Sequence, residues 1–181
     1  MPEFKSLNNR LKFEGKITSI YESDFLAPNG EQITREITRH PGAVCVVVPV
    51  VGSEVVMIRQ FRPAIGDHLL EIPAGKRDID GEPPDVTAHR ELQEEVGLST
   101  NNMVELAQFY NSPGFCDEYS YCYVALDCEY VTDDRQGLEE EYMTIERISI
   151  SDTLPLVTSG KIVDAKTIIG LSLALQYLNE R

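Results

Sequence analysis

Glu82-Pro83-Pro84-Asp85-Val86-Thr87-Ala88-His89-Arg90-Glu91-Leu92-Gln93-Glu94-Glu95-Val96-Gly97-Leu98 is the stretch that decides the fold of this 181-residue chain. Proline is tolerated in the first turn of a helix and glycine is favoured just past its end, so Pro83-Pro84 and Gly97 bracket a helix. Glu91 and Glu95 stand four residues apart and Glu91 and Glu94 three apart, which places the three carboxylates on one helix face. Two carboxylates about 6 Å apart repel by roughly 3 kcal/mol at an effective dielectric near 20. Such a face calls for a positive partner, and all-oxygen donors suit Mg²⁺ or Mn²⁺. An isolated acidic quartet is more often a solvated helix face with an ordinary Arg90–Glu94 pair, so the surroundings of the helix must decide.

Before the helix, Ala43–Val51 and Glu54–Phe61 are apolar, β-branched runs joined by Gly52-Ser53, the pattern of a buried hairpin. Leu69–Pro73 is a short apolar run leading into a Gly- and Asp-rich loop. The first forty residues also form strands: Lys12–Tyr21 alternates in places, and Asn29-Gly30 is a hairpin-turn dipeptide ahead of Gln32–Ile37. After the helix come strand runs at Met103–Tyr110 and Tyr119–Leu126, separated by the breaker Asn111-Ser112-Pro113-Gly114. An acidic loop, a strand at Tyr142–Ile148, a short helix around Ser151–Leu154 and a terminal helix from Asp164 to about Asn179 complete the chain. Apolar residues cover more than one face of that last helix, so it packs on the core.

The length suits one domain with its own core. Sixteen basic against thirty acidic residues give a formal net charge of −14, which disfavours nucleic acid and anionic membranes as partners. A chain this acidic can still act on phosphates where divalent cations join the two negative partners. Cys45, Cys116, Cys122 and Cys128 have neither CxxC nor Cys-His spacing, so they read as reduced thiols. No run approaches a membrane span, and Met1-Pro2-Glu3-Phe4-Lys5 lacks a signal-peptide core. A cytoplasmic protein is expected.

The decisive segment resembles the Nudix box: a glycine, five residues, Glu, seven residues, Arg-Glu, an aliphatic, any residue, Glu-Glu, any residue, Gly and an aliphatic. Everything from Glu82 to Leu98 matches, with chance odds of roughly one in a million at ordinary residue frequencies. Two departures stand out. The opening glycine is expected at position 76, where the chain has Lys76, with Gly75 one residue early; this implies a one-residue insertion in the loop 76–81. Pro83 replaces the usual capping side chain. The resemblance implies an α/β fold, the Nudix α/β/α sandwich with a mixed sheet, preceded by N-terminal antiparallel strands. It makes Glu91 and Glu95 the main metal ligands, Glu94 a further ligand and the Ala74 carbonyl a backbone ligand. Arg90 then orients the carboxylates, and Glu82 serves either substrate or structure.

Glu71-Ile72-Pro73-Ala74-Gly75 before the box, and Ser112-Pro113-Gly114-Phe115 with Asp117-Glu118 after it, look like the ADP-ribose pyrophosphatase branch, in which a proline follows the box by some fifteen residues. Pro113 is fifteen beyond Leu98. Arg35-Glu36-Ile37, His40-Pro41-Gly42-Ala43 and Gly160–Thr167 resemble the same branch, so the likeness covers nearly the whole chain. It implies Glu36 and Arg62 near the substrate, the arginine pairing a phosphate or stacking on the base; a sheet-surface ion pair and a surface arginine are the ordinary alternatives, as a helix cap is for Asp164. In the acidic loop, alignment of Gly137-Leu138 makes Glu139 the general base and Glu141 a metal ligand, although three adjacent glutamates leave the register open. The expected activity is metal-dependent hydrolysis of a nucleoside diphosphate sugar, ADP-ribose foremost, to AMP and ribose 5-phosphate. GDP-mannose hydrolysis is the alternative within the fold, and a non-catalytic Nudix ligand sensor the alternative outside catalysis. The expected organisation is a strand region at 1–40 that builds a homodimer, followed by the Nudix domain at 41–181.

Overall fold

The computed structural model describes residues 1–181 apart from 41, 43, 78, 80 and 133–137, and the backbone alone at 138 and 139. The chain falls into two units, Met1–Ala43 with Tyr110–Tyr119, and Val44–Phe109 with Ser120–Arg181.

In the first unit, β1 (Lys5–Glu14), β2 (Ser19–Leu26) and β3 (Gln32–Arg39) form an antiparallel sheet in that order. Asn29-Gly30 turns the second hairpin as its type predicts, with Gly30 at φ 86°. The run Lys12–Tyr21 reads in sequence as one strand but is two. The chain reverses where the Gly15 amide donates to the Thr18 carbonyl at 2.9 Å. Only glycine fits there, because a Cβ would lie 2.8 Å from that carbonyl. β1 also begins as early as Lys5, where its polar composition hides it from pattern reading. Arg10 ties β1 to β2 through Glu22, at 2.6 Å, and through Asp24. The segment 110–119 joins β3: the Thr38 amide donates to the Phe115 carbonyl at 2.7 Å, and Asp117 accepts from the Arg39 guanidinium at 3.0 Å.

The second unit contains β4 (Val44–Val51), β5 (Glu54–Arg62), β6 (Asp67–Glu71), β7 (Ala74–Lys76), α1 (Pro84–Val96), β8 (Leu98–Ser99), the greater part of β9 (Asn102–Tyr110) and β10 (Tyr119–Leu126), β11 (Glu129–Tyr130), α2 (Leu138–Glu141), β12 (Thr144–Ser149), α3 (Ile150–Thr158) and α4 (Ala165–Asn179). Its main sheet runs β12-β5-β4-β10-β9, with β6 beside β5 and β7 beside β4. The β4–β10 pair is parallel and the β4–β5 pair antiparallel, so the sheet is mixed, as expected.

Strand β4 shows why helices cover both faces. Successive side chains of a strand point to opposite sides, and nearly all of β4 is buried. Val44, Val46, Val48 and Val50 share a core with Leu171 and Ala174 of α4. Cys45 and Val47 share the opposite core with Ala88, Leu92 and Val96 of α1. Each fully buried side chain of this size contributes about 1.5–3 kcal/mol, so α1 is fixed against the sheet by the residues between its glutamates. Its ends follow the sequence: Pro83 precedes it with no side-chain cap, and Gly97 closes it in the left-handed region at φ 62°. Glu139–Glu141, a loop in the sequence reading, lie on the short helical turn α2. Among the described residues, no helix is long and apolar enough to cross a membrane.

Candidate active site

Burial of the apolar face of α1 determines what happens to its carboxylates. Leu92 and Val96 point into the core, and the adjacent positions Glu91 and Glu95 are carried inward with them, to 6% and 3% exposure. The Glu95 carboxylate accepts a hydrogen bond from the Ala74 amide at 2.9 Å. Burial, reinforced by the neighbouring Glu91 charge, holds Glu95 well above the ordinary carboxylate range. Burial likewise pushes Glu91 up to about 7, against the pull of Arg90 and with the repulsion of Glu94 and Glu140.

Gly75 answers the question of the displaced box glycine. A Cβ built on it would lie 1.8 Å from the Glu91 carboxyl carbon. The close approach of helix and β7 is therefore made by Gly75. Gly75→Ala is accordingly expected to displace Glu91 and lower the affinity for Mn²⁺ roughly 10- to 100-fold, the range for groups that orient metal ligands. Electron paramagnetic resonance titration of the folded variant checks this, and unchanged affinity would refute the close-packing role.

Arg90 binds three of the box acids: its Nη1 lies 2.8 Å from Glu91 and 2.8 Å from Glu94, and its Nη2 lies 3.5 Å from Glu82. Glu82 in turn accepts from the Thr87 hydroxyl at 2.6 Å, a side-chain tie one turn into a helix whose proline start provides none. Arg77 donates to the Glu82 carbonyl and lies 5.5 Å from the Tyr121 ring centre, securing the longer loop.

Arg62 is held by Glu71, a fully buried carboxylate, through Nε at 2.7 Å and Nη2 at 2.6 Å. Two such charge-assisted bonds fix the guanidinium plane. Sequence reasoning passed over Glu71. The run Glu71-Ile72-Pro73-Ala74-Gly75 enters the sequence reading only as part of a family resemblance, and a glutamate ending an apolar run nine residues beyond an arginine was the available signal.

The structure thus brings together Ala74, Glu82, Arg90, Glu91, Glu94 and Glu95. Arg62 is coupled to the group through its charge, which acts on Glu95. Glu36 and Pro113 belong to the first unit, Glu36 exposed on β3 opposite Glu22 and Pro113 exposed in the 110–119 segment. The Glu139 side chain lies outside the described residues. Glu141 is exposed, and the charge of Glu140 reaches both Glu91 and Glu95.

Two adjacent buried carboxylates, both touching the Ala74–Gly75 segment, form an all-oxygen donor set that suits a divalent cation. The residues therefore fit Mg²⁺ or Mn²⁺. Glu94 is turned toward Arg90, and among the described residues no three acidic, imidazole or thiol side chains already converge on one point.

The family model described as NUDIX domain matches residues 38–167. The chain is 37% identical over 176 residues to the ADP-ribose pyrophosphatase of Bacillus subtilis (strain 168), covering 97% of this chain and 92% of that protein. It is also 37% identical over 177 residues to the methanol dehydrogenase activator of Bacillus methanolicus, again covering 97% of this chain and 92% of that one. A solved structure, the crystal structure of ADP compounds hydrolase, superposes with a TM-score of 0.88 at 22% identity, covering 98% of this chain and 95% of that one; it shows the same fold.

Proposed function

The chain belongs to the NUDIX domain family, and from that premise we propose that it hydrolyses the pyrophosphate bond of nucleoside diphosphate sugars, ADP-ribose foremost, to AMP and ribose 5-phosphate. The observation that carries this reading is the seating of the Ala74–Gly75 segment on two buried box glutamates, with Glu95 bonded to the Ala74 amide and Glu91 filling the space beside Gly75.

Glu91, Glu95, Glu94, the Ala74 carbonyl and Glu141 would hold Mg²⁺, or Mn²⁺ in its place. When bound, such an ion lowers the pKa of the attacking water and stabilises charge on the phosphoryl oxygens. Arg90 keeps the box acids aligned through its contacts with Glu82, Glu91 and Glu94. Glu139 takes the water proton at its carboxylate. Glu71 occupies two nitrogens of Arg62, which leaves Nη1 to a phosphate oxygen. Glu36 and Pro113 contact the nucleoside or sugar, and Glu82 supports the helix start. A second assignment of the loop, with Glu140 in the catalytic role, is favoured by the reach of its charge to Glu91 and Glu95.

A hydrolysis screen with Mg²⁺ over ADP-ribose, GDP-mannose, ADP-glucose, NADH and deoxynucleoside triphosphates tests the function. The expected result is the highest kcat/KM on ADP-ribose, with AMP released. A preference for GDP-mannose would move the substrate within the class. Binding without turnover would replace the enzyme by a sensor.

The segment before residue 40 leaves Phe4, Leu7, Leu11, Phe13 and Ile17 about half exposed. Apolar side chains on so small a sheet need a partner surface, which supports a homodimer built by these strands. Light scattering at low micromolar concentration is expected to give twice 20.3 kDa, and the mass of one chain would sink the idea. The four free cysteines, two of them buried, accord with a reducing, cytoplasmic setting. The net charge of −14 argues against nucleic-acid partners.

A further inference from the structure

We propose that Thr167, polarised by Asp164, is a positioning residue for the metal site, because its hydroxyl holds the backbone that presents the Ala74 carbonyl and seats Glu95. This rests on the reading of Ala74 and Glu95 as metal ligands.

The connection runs through contacts of ordinary hydrogen-bond length. Asp164 precedes α4, and its Oδ2 accepts from both the amide and the hydroxyl of Thr167, each at 2.8 Å. The same hydroxyl accepts from the buried Ile72 amide at 3.1 Å. Donation to a carboxylate strengthens a hydroxyl as an acceptor, so the Asp164 charge is felt at the Ile72 amide. Lys166 lies 2.7 Å from Asp164 and 3.9 Å from Glu71, which balances the charge of this buried group. Helix α4 also presses directly on the segment: a Cβ on Gly170 would come within 2.6 Å of the Ile72 side chain.

Every residue from 71 to 74 is tied at a different point. Glu71 grips Arg62, the Ile72 amide donates to Thr167, the Pro73 carbonyl accepts from Val47 at 2.9 Å, and the Ala74 amide donates to Glu95 at 2.9 Å. Ile72 and Pro73 lie between β6 and β7; Pro73 keeps its bond to β4, but the register of neither flanking strand extends to Ile72. A side chain from a helix more than ninety residues downstream supplies what the sheet does not. Mg²⁺ demands near-ideal geometry at metal–oxygen distances of about 2.0–2.1 Å, so a shift of Ile72, two residues from the Ala74 carbonyl, degrades the ligand set. An ordinary helix cap ends at its own backbone, whereas this one continues through the threonine into the site.

Thr167→Val keeps the shape and removes both bonds of the hydroxyl, and Thr167→Ser restores them. We would titrate the full chain and its variants with Mn²⁺ alone, reading free Mn²⁺ by electron paramagnetic resonance at a temperature where circular dichroism shows all of them folded. Amide hydrogen exchange at Ile72 and Ala74 would be followed in the same samples. The expected result is a roughly tenfold weaker Mn²⁺ affinity for Thr167→Val, the lower end of the range for groups that orient metal ligands, with faster exchange at Ala74 and recovery in Thr167→Ser. A purely structural cap would lower the melting temperature and leave the affinity of the folded variant unchanged, and that outcome overturns the proposal. Should Thr167→Val fail to fold, Asp164→Asn is read the same way, and an affinity equal to that of the unaltered chain is equally fatal. Glu95→Gln is the control that separates the two ideas: equal Mn²⁺ binding by Glu95→Gln and the unaltered chain removes the ligand reading itself, and this inference with it.

Discussion

Glu95→Gln is expected to abolish most hydrolysis while leaving the fold intact. Glu95 is 3% exposed and accepts from the Ala74 amide at 2.9 Å, and a glutamine oxygen at the same place still accepts that bond. What the amide lacks is charge. An ion whose stabilisation of the transition state amounts to several kcal/mol is then held poorly, which corresponds to a loss on the order of 10²- to 10³-fold in kcat/KM at fixed Mg²⁺. The metal-free fold should not suffer, because burial and the adjacent Glu91 already oppose a charge at this position. Removing it relieves that conflict, so the metal-free variant is expected to melt no lower than the metal-free unaltered chain. Added Mg²⁺ should raise the melting temperature of the unaltered chain and leave that of the variant almost unmoved, since only a bound ligand shifts stability. Near-normal turnover by Glu95→Gln at saturating Mg²⁺ would remove Glu95 from the site.

Glu139→Gln is expected to lower kcat by roughly 10²- to 10⁴-fold with little change in KM, the effect of removing a general base that acts on water rather than on bound substrate. Glu140→Gln and Glu141→Gln form the rest of the series. Glu141, as a metal ligand, should show its loss chiefly in the Mg²⁺ dependence. Because the Glu140 charge already acts on both buried box glutamates, its variant is the informative comparison. A crippled Glu140→Gln beside a normal Glu139→Gln would shift the loop register by one residue. If neither variant is impaired, the base must be sought among the box glutamates.

The box helix was legible in sequence because its signals are local. Prolines at one end, a left-handed glycine at the other and a three-four spacing of acids need no knowledge of distant residues. The burial of β4 between two layers follows from a run apolar on both faces, whereas the mixed sheet was implied by the resemblance to the Nudix family. Less legible were features whose partners are far away in the chain. Nothing local marks Glu71 as a fully buried carboxylate, since its burial depends on Arg62 and the packing around both. The strand break at Gly15 has no clear local mark, because a lone glycine also occurs inside strands, and only the 2.8 Å approach to the Thr18 carbonyl makes glycine necessary.

The sequence by itself determined the reaction chemistry within reach of this chain. A helix with three acids on one face, in a protein of net charge −14, needs a divalent cation to meet a phosphate, because like charges repel without one. Tertiary structure alone decided which groups make that helix a site. It placed Glu91 against Gly75 and Glu95 against the Ala74 amide, and it supplied the Ile72 amide with a hydroxyl from α4. The physical reason is burial: a carboxylate on a solvated helix is an ordinary acid, and one carried into the core by its apolar neighbours becomes a poorly solvated donor whose ionised form a cation would stabilise.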